Sequence, residues 1–318
     1  MQKSNHHVFM EALVRRIRQD DAECTLFHEE FYRMQAGLAG ELKVKNCLAD
    51  HPFKNDYDIL YNFECINERG FTHQIDALLI TAHFVMVLEV KQIAGQLFYN
   101  RNLHEFSRRT EAGIEENLPN PFDQAYRHQL FIEDLLEKQA IYIPVQHLVV
   151  IANYRAKLDP SLEPMPIIHL SGLPTLIENL LEQFPVTDYN PSTLQALFEN
   201  MRQPLPARRQ IEQSRLKSGV FCPRCETTMA MLFHHGNWHC TVCHLKSREI
   251  VTRALQEYRI LVGPQLTNRA FRAFTGIDSV FAASRILSQL NFQTTGHRKR
   301  RCYIIPEAIY WMDMGIRK

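Results

Sequence analysis

The sequence predicts an α/β protein: a mixed central sheet flanked by helices, followed by two smaller modules. Three observations predict it. Stretches of helical periodicity bracket short runs of β-branched and apolar residues between 58 and 91. Two Cys-x-x-Cys pairs follow from residue 222. Charge then divides the chain. Residues 1–202 carry 18 basic and 28 acidic residues, a net of −10, and residues 203–318 carry 18 and 7, a net of +11. Halves of opposite sign point to domains with different jobs.

Helices are expected over 8–20 and 28–49, the second from Phe31, Leu38, Leu42 and Leu48 at helical spacing. Pro52 and Lys54-Asn55-Asp56 break the chain. Strands follow at 58–66, 74–81 and 83–91, with a turn at Asn67–Gly70 and a hairpin at Thr81–His83. Residues 96–99 suit an edge strand. A long helix occupies 122–138, entered through Asn120-Pro121. Apolar runs at 146–152 and 166–170 read as strands, and 173–184 and 191–202 as helices. Residues 203–219 lack apolar periodicity and hold two prolines, which reads as a linker, so a first domain is expected over 1–202. No apolar run reaches the roughly 20 residues that span a bilayer. The first residues lack a secretory pattern, so a cytoplasmic chain without membrane contact is expected.

Charged residues inside apolar strands need a reason, because a buried unpaired charge is expensive. Asp76 lies in QIDALLI; Glu89 and Lys91 lie in LEVK, two apart and so on one face of a strand. Two carboxylates offer hard oxygen ligands to Mg²⁺ or Mn²⁺, and a lysine can orient water or stabilise a developing anion. A lone Glu-x-Lys is common and reads equally as a salt bridge on a solvated edge.

The companions of this trio carry more information. Gly37-Leu38-Ala39-Gly40-Glu41, Gln74-Ile75-Asp76 with Ala77–Ile80, Glu89-Val90-Lys91 with Gly95, and Asn120-Pro121-Phe122-Asp123-Gln124 stand in order along the chain. Over residues 33–150 they resemble the nuclease-related domain, NERD, which is grouped with PD-(D/E)-x-K nucleases. The resemblance implies a restriction-endonuclease-like fold, dependence on Mg²⁺ (or Mn²⁺) and phosphodiester cleavage. It implies Asp76 and Glu89 as metal-binding carboxylates, Lys91 as the catalytic lysine, Glu41 as an auxiliary acid and Gln124 as a polar support. Gln74 receives a weak role. Gly37 and Gly40 are expected to allow close helix–sheet packing. The segment after Gly95 lacks a tryptophan expected in many relatives. His73 and His128 are read as surface histidines.

Cys222-Pro223-Arg224-Cys225 and Cys240-Thr241-Val242-Cys243 are 14 residues apart, joined by a segment that can form a hairpin. Four thiolates on two tight knuckles suit a structural Zn²⁺ in a zinc ribbon, expected over 220–248. From 249 the pattern is helix, short turn, helix and basic hairpin, the layout of a winged helix-turn-helix. The helix at 279–290 would present Ser279, Ser284 and Arg285 to a groove. The hairpin would place His297, Arg298, Lys299, Arg300 and Arg301 on phosphates. The expected partner is nucleic acid, DNA before RNA, and a homodimer suits cleavage of both duplex strands. The second reading is a nucleic-acid-binding protein with an inactive nuclease-like domain.

Overall fold

The computed structural model describes residues 4–205, 209–225, 229–297 and 300–307. Two compact units emerge. One spans Tyr32–Leu205. The other joins Asn5–Phe31 to the described chain after residue 208.

The elements run α1 (Asn5–Arg16), α2 (Cys24–Asp50), β1 (Tyr57–Ile66), β2 (Thr72–Thr81), β3 (Val85–Lys91), β4 (Gly95–Asn100), β5 (Glu105–Arg109) and β6 (Glu115–Leu118). Then come α3 (Pro121–Glu137), β7 (Val145–Ile151), β8 (Ala156–Leu158), β9 (Ile167–His169), α4 (Leu173–Gln183) and α5 (Pro191–Met201). The central sheet is ordered β1-β2-β3-β7-β9. Its first three strands are antiparallel and its last three parallel, so the expected mixed sheet flanked by helices is present. Strand alternation sorts its side chains into two cores. Leu78, Ile80, Val85 and Val87 meet Phe131, Ile132 and Leu136 of α3. Ala77, Leu79, Leu88 and Val90 meet Val44 and Leu48 of α2 and Ile177 of α4. A second sheet is ordered β6-β5-β4-β8.

Gly40 lets α2 approach the sheet. A Cβ there would lie 3.1 Å from Gln92 Cβ and 3.5 Å from Ala152 Cβ. Gly37 has open space around it, so the packing role expected of both glycines belongs to Gly40. Leu42, expected on the apolar face of α2, is exposed; Val44 takes the buried position.

In the other unit, β10 (Leu232–His234), β11 (Asn237–His239) and β12 (Lys246–Ser247) form a small sheet in that order. It is followed by α6 (Val251–Leu261), β13 (Gln265–Thr267), α7 (Asn268–Thr275), α8 (Val280–Gln289), β14 (Gln293–Thr295) and β15 (Cys302–Ile304). The last three strands form a sheet ordered β13-β15-β14. Thr267 caps α7 by accepting from Ala270 N–H, and Gly276 ends it at φ 75° in the left-handed region.

Residues 5–31 therefore do not belong with the rest of the expected 1–202 domain. The cause is α1, whose buried face (Phe9, Met10, Leu13) belongs to the later unit. Arg16, 1% exposed, donates to Glu257 Oε2 at 2.7 Å and to the Gly219 carbonyl at 2.7 Å. Its guanidinium also lies over the rings of Phe221 and Phe274. The stretch expected as a linker is consequently fixed over its second half. Ile211 and Leu216 are buried, and Leu216 bridges to Ile17.

Candidate active site

The site forms where two strands part. β2 and β3 pair from Ile80 opposite Val85 to Ala77 opposite Leu88. The next pair in that register would be Asp76 with Glu89, but the ladder stops before it. Instead, Val90 N–H donates to Asp76 Oδ2 at 2.8 Å, so a side chain takes the bond a strand would have made. β3 continues alone on this side while still pairing with β7 as far as Lys91 opposite Ile151.

Glu89 and Lys91 share the face of Val85 and Val87, the face that α3 covers. Lys91 Nζ donates to Glu89 Oε1 at 2.6 Å and to Gln124 Oε1 at 3.3 Å. Gln124 reaches it because α3 starts there. Asn120 caps the helix by accepting from Phe122 N–H, and Pro121 fills its first position. Glu89 is 2% exposed, and its second oxygen, Oε2, is buried without a partner. Such an atom is costly unless something positive meets it.

Electrostatics agree. Burial pushes the Glu89 carboxyl up to about 8, and the Asp76 charge adds to this against the opposing pull of Lys91. Glu41 on α2 is likewise pushed up to about 8 by burial, then by the charges of Asp76 and Glu89. Burial also raises Asp76, opposed by the Val90 N–H and Lys91. Five residues expected from sequence, Glu41, Asp76, Glu89, Lys91 and Gln124, thus act on one another electrostatically or by hydrogen bond. The carboxylate donors suit a hard cation. Among the described residues, the four thiols are the one group of three or more ligand atoms within 4.8 Å of one another. The carboxylates of Glu41, Asp76 and Glu89 stand further apart.

Two histidines behave differently from expectation. His73 and His128 are both buried, with Nδ1 atoms 3.2 Å apart. His73 stacks on Phe131 at 3.8 Å between centroids, and burial pushes His128 down to about 3. His128 lies one turn beyond Gln124, and its Nε2 is buried without a partner. That i, i+4 spacing was the available signal that it faces inward with Gln124. Gln74 instead turns away and donates to Asn62 Oδ1 at 2.9 Å.

The cysteine geometry is tighter. Cys222 and Cys243 Sγ lie 3.6 Å apart, and Cys225 and Cys240 Sγ 3.8 Å apart. Tetrahedral thiolates at about 2.3 Å from Zn²⁺ stand roughly 3.8 Å from each other, so the four residues fit that ion.

Arg285, expected to face a groove, is exposed on α8, and His297, Arg300 and Arg301, expected on phosphates, are exposed beside the final hairpin. Arg298 and Lys299 lie outside the described residues. Ser279 and Ser284 have work inside the protein. Ser279 caps α8, and Ser284 Oγ accepts from Asn268 Nδ2 at 2.9 Å.

Comparison with known proteins bears on the region that holds this site. Residues 36–152 match the model of the nuclease-related domain. The match contains every residue of the carboxylate–lysine site. An uncharacterised protein of Bacillus anthracis is 36% identical over 106 residues, covering 32% of this chain and 48% of that protein. The chain therefore spans about half the length of this curated relative. A further similarity is to the small subunit of the heterodimeric restriction endonuclease R.BspD6I, at 15% identity and a TM-score of 0.22, covering 52% of this chain and 77% of that one. The matched residues all lie within the unit Tyr32–Leu205. No described helix is long and apolar enough to cross a membrane.

Proposed function

We propose that the chain is a metal-dependent nuclease that hydrolyses phosphodiester bonds, with DNA as its substrate. The observation that carries this is Glu89: a buried carboxylate with an unpartnered oxygen, held beside Asp76 and Lys91 where β2 and β3 separate. Asp76 and Glu89 would hold the ion, and Glu41 would support it from α2. A bound Mg²⁺ or Mn²⁺ would supply a more acidic water and neutralise phosphate charge. Lys91, fixed by Glu89 and Gln124, is placed to orient the attacking water and to meet negative charge as it develops. Zn²⁺ on the four cysteines would be structural, since no ligand position is left open. Winged helix-like α6–β15, with exposed Arg285, Arg300 and Arg301, would supply the attraction for a polyanion that the acidic unit lacks. Cutting both duplex strands calls for two sites, hence a homodimer.

Incubating DNA with the protein and Mg²⁺ or Mn²⁺ tests this reading. Cleavage is expected, with losses of at least a hundredfold in Asp76→Ala and Lys91→Ala. The non-catalytic alternative draws on the separation of the three carboxylates. Nucleic-acid binding with no cleavage under either metal would establish that alternative.

A further inference from the structure

A cleft of about 460 Å³ lies within the basic unit, between the turn of the β10–β11 hairpin and α8. Its walls include Phe233 and His235 from the hairpin, Arg248 ahead of α6, and Phe281, Arg285 and Gln289 from one side of α8. The volume is that of a small-molecule pocket, roughly 300–1,000 Å³.

Three features describe what fits. Phe281 is 87% exposed, so among the described residues no packing accounts for a ring at this position. Its spacing of four and eight residues puts Arg285 and Gln289 beneath it on the same helix face. Two guanidinium groups, Arg248 and Arg285, line the same space, and none of the described residues lining it is acidic. Among the described residues, neither arginine pairs with a carboxylate. An aromatic face beside cations is the arrangement that takes an unstacked base with its phosphates. A base pair inside a duplex hides its faces, so it cannot use Phe281 in this way.

We infer that this cleft binds an unpaired nucleotide of a DNA single strand, its base on Phe281 and its phosphates on Arg248 and Arg285. The inference rests on the reading that the basic unit engages nucleic acid, and adds which form it holds and where. Arg285 then acts inside the cleft. It does not serve as a reader of base edges in a major groove.

Fluorescence anisotropy on the full chain carrying Lys91→Ala, which spares the substrate, tests it. The probes are a fluorescein-labelled oligo(dT) of twelve nucleotides and a twelve-base-pair duplex. Phe281→Ala is expected to weaken single-strand binding about tenfold and duplex binding less than twofold, with Phe281→Trp restoring affinity. Arg248→Ala with Arg285→Ala is expected to reduce the single-strand salt slope by about 1.4, the loss of two phosphate contacts. Equal losses on both probes in Phe281→Ala, or none on either, overturn the cleft as a nucleotide site while leaving nucleic-acid binding intact. Tighter binding of oligo(U) than oligo(dT) overturns the assignment to DNA. If the parent binds neither probe, nucleic-acid engagement by the basic unit fails as well, whereas cleavage is scored separately.

Discussion

Glu89 is where stability and chemistry pull apart. Its carboxyl is held near 8 mainly by burial, so deprotonating it in the folded protein costs free energy. Glu89→Gln keeps an acceptor for Lys91 and removes the charge. It should raise the metal-free Tm at pH 9 by about 2–4 °C, the shift that about 1 kcal/mol gives in a domain of this size, while abolishing cleavage. Scanning calorimetry and a cleavage assay on the same sample check both. Gly95 is fixed for a steric reason: at φ +100°, a Cβ would sit 2.5 Å from the Arg109 carbonyl oxygen. Gly95→Ala should cost at least about 1–3 kcal/mol in urea unfolding. Asp76, Glu89 and Lys91 stood out because charged types are unusual in apolar strands, and Gly95 only through the motif it shares with them. His73 and His128 were not. Their burial comes from a contact between positions 55 residues apart and from stacking on Phe131, and polar neighbours in sequence concealed it.

Among elements, α3 ties fold to site, because its first turn carries Gln124 to Lys91. Asn120→Ala removes the cap acceptor and should cost about 1 kcal/mol. It should also reduce cleavage severalfold through Gln124, measurable by denaturant titration beside kinetics. Most elements of the central sheet were readable from runs of β-branched residues. β5 and β6 were not, since EFSRR and EENL show no apolar alternation. They are strands because each pairs with a neighbour, reinforced by Arg108–Glu116 and Arg109–Glu115 across the ladder. The β10–β12 sheet has strands of two and three residues and too little core to stand alone. Removing Zn²⁺ with a chelator should therefore unfold it. Near-ultraviolet circular dichroism would show the loss through Trp238, which is wholly buried there.

At the level of the whole chain, opposing titrations set the pH of greatest stability. Glu41 and Glu89 bind protons more tightly folded than unfolded, so their contribution falls as pH rises from about 4.5 to about 8. His128, pushed down to about 3, binds its proton less tightly folded, so its contribution falls as pH drops from about 6.5 towards 3. Two carboxyls outweigh one imidazole, so on these groups the metal-free protein should melt highest at about pH 4.5, and Mg²⁺ should offset the alkaline loss. Thermal melts across pH 4–9, with and without the ion, check this. The charge division near residue 202 lies close to Leu205, where the first unit ends. It could not show that α1 belongs with the later unit, because that depends on a partner at the other end of the chain.

That pairing has a consequence during synthesis. Arg16 and Glu257 are 241 residues apart in sequence. At roughly 5–20 residues per second, the ribosome needs about 12–48 s to supply the second after the first. The unit Tyr32–Leu205 is complete before then. For that interval, Phe9, Met10 and Leu13 lack their partners from the later unit, which leaves the apolar face of α1 open to a chaperone.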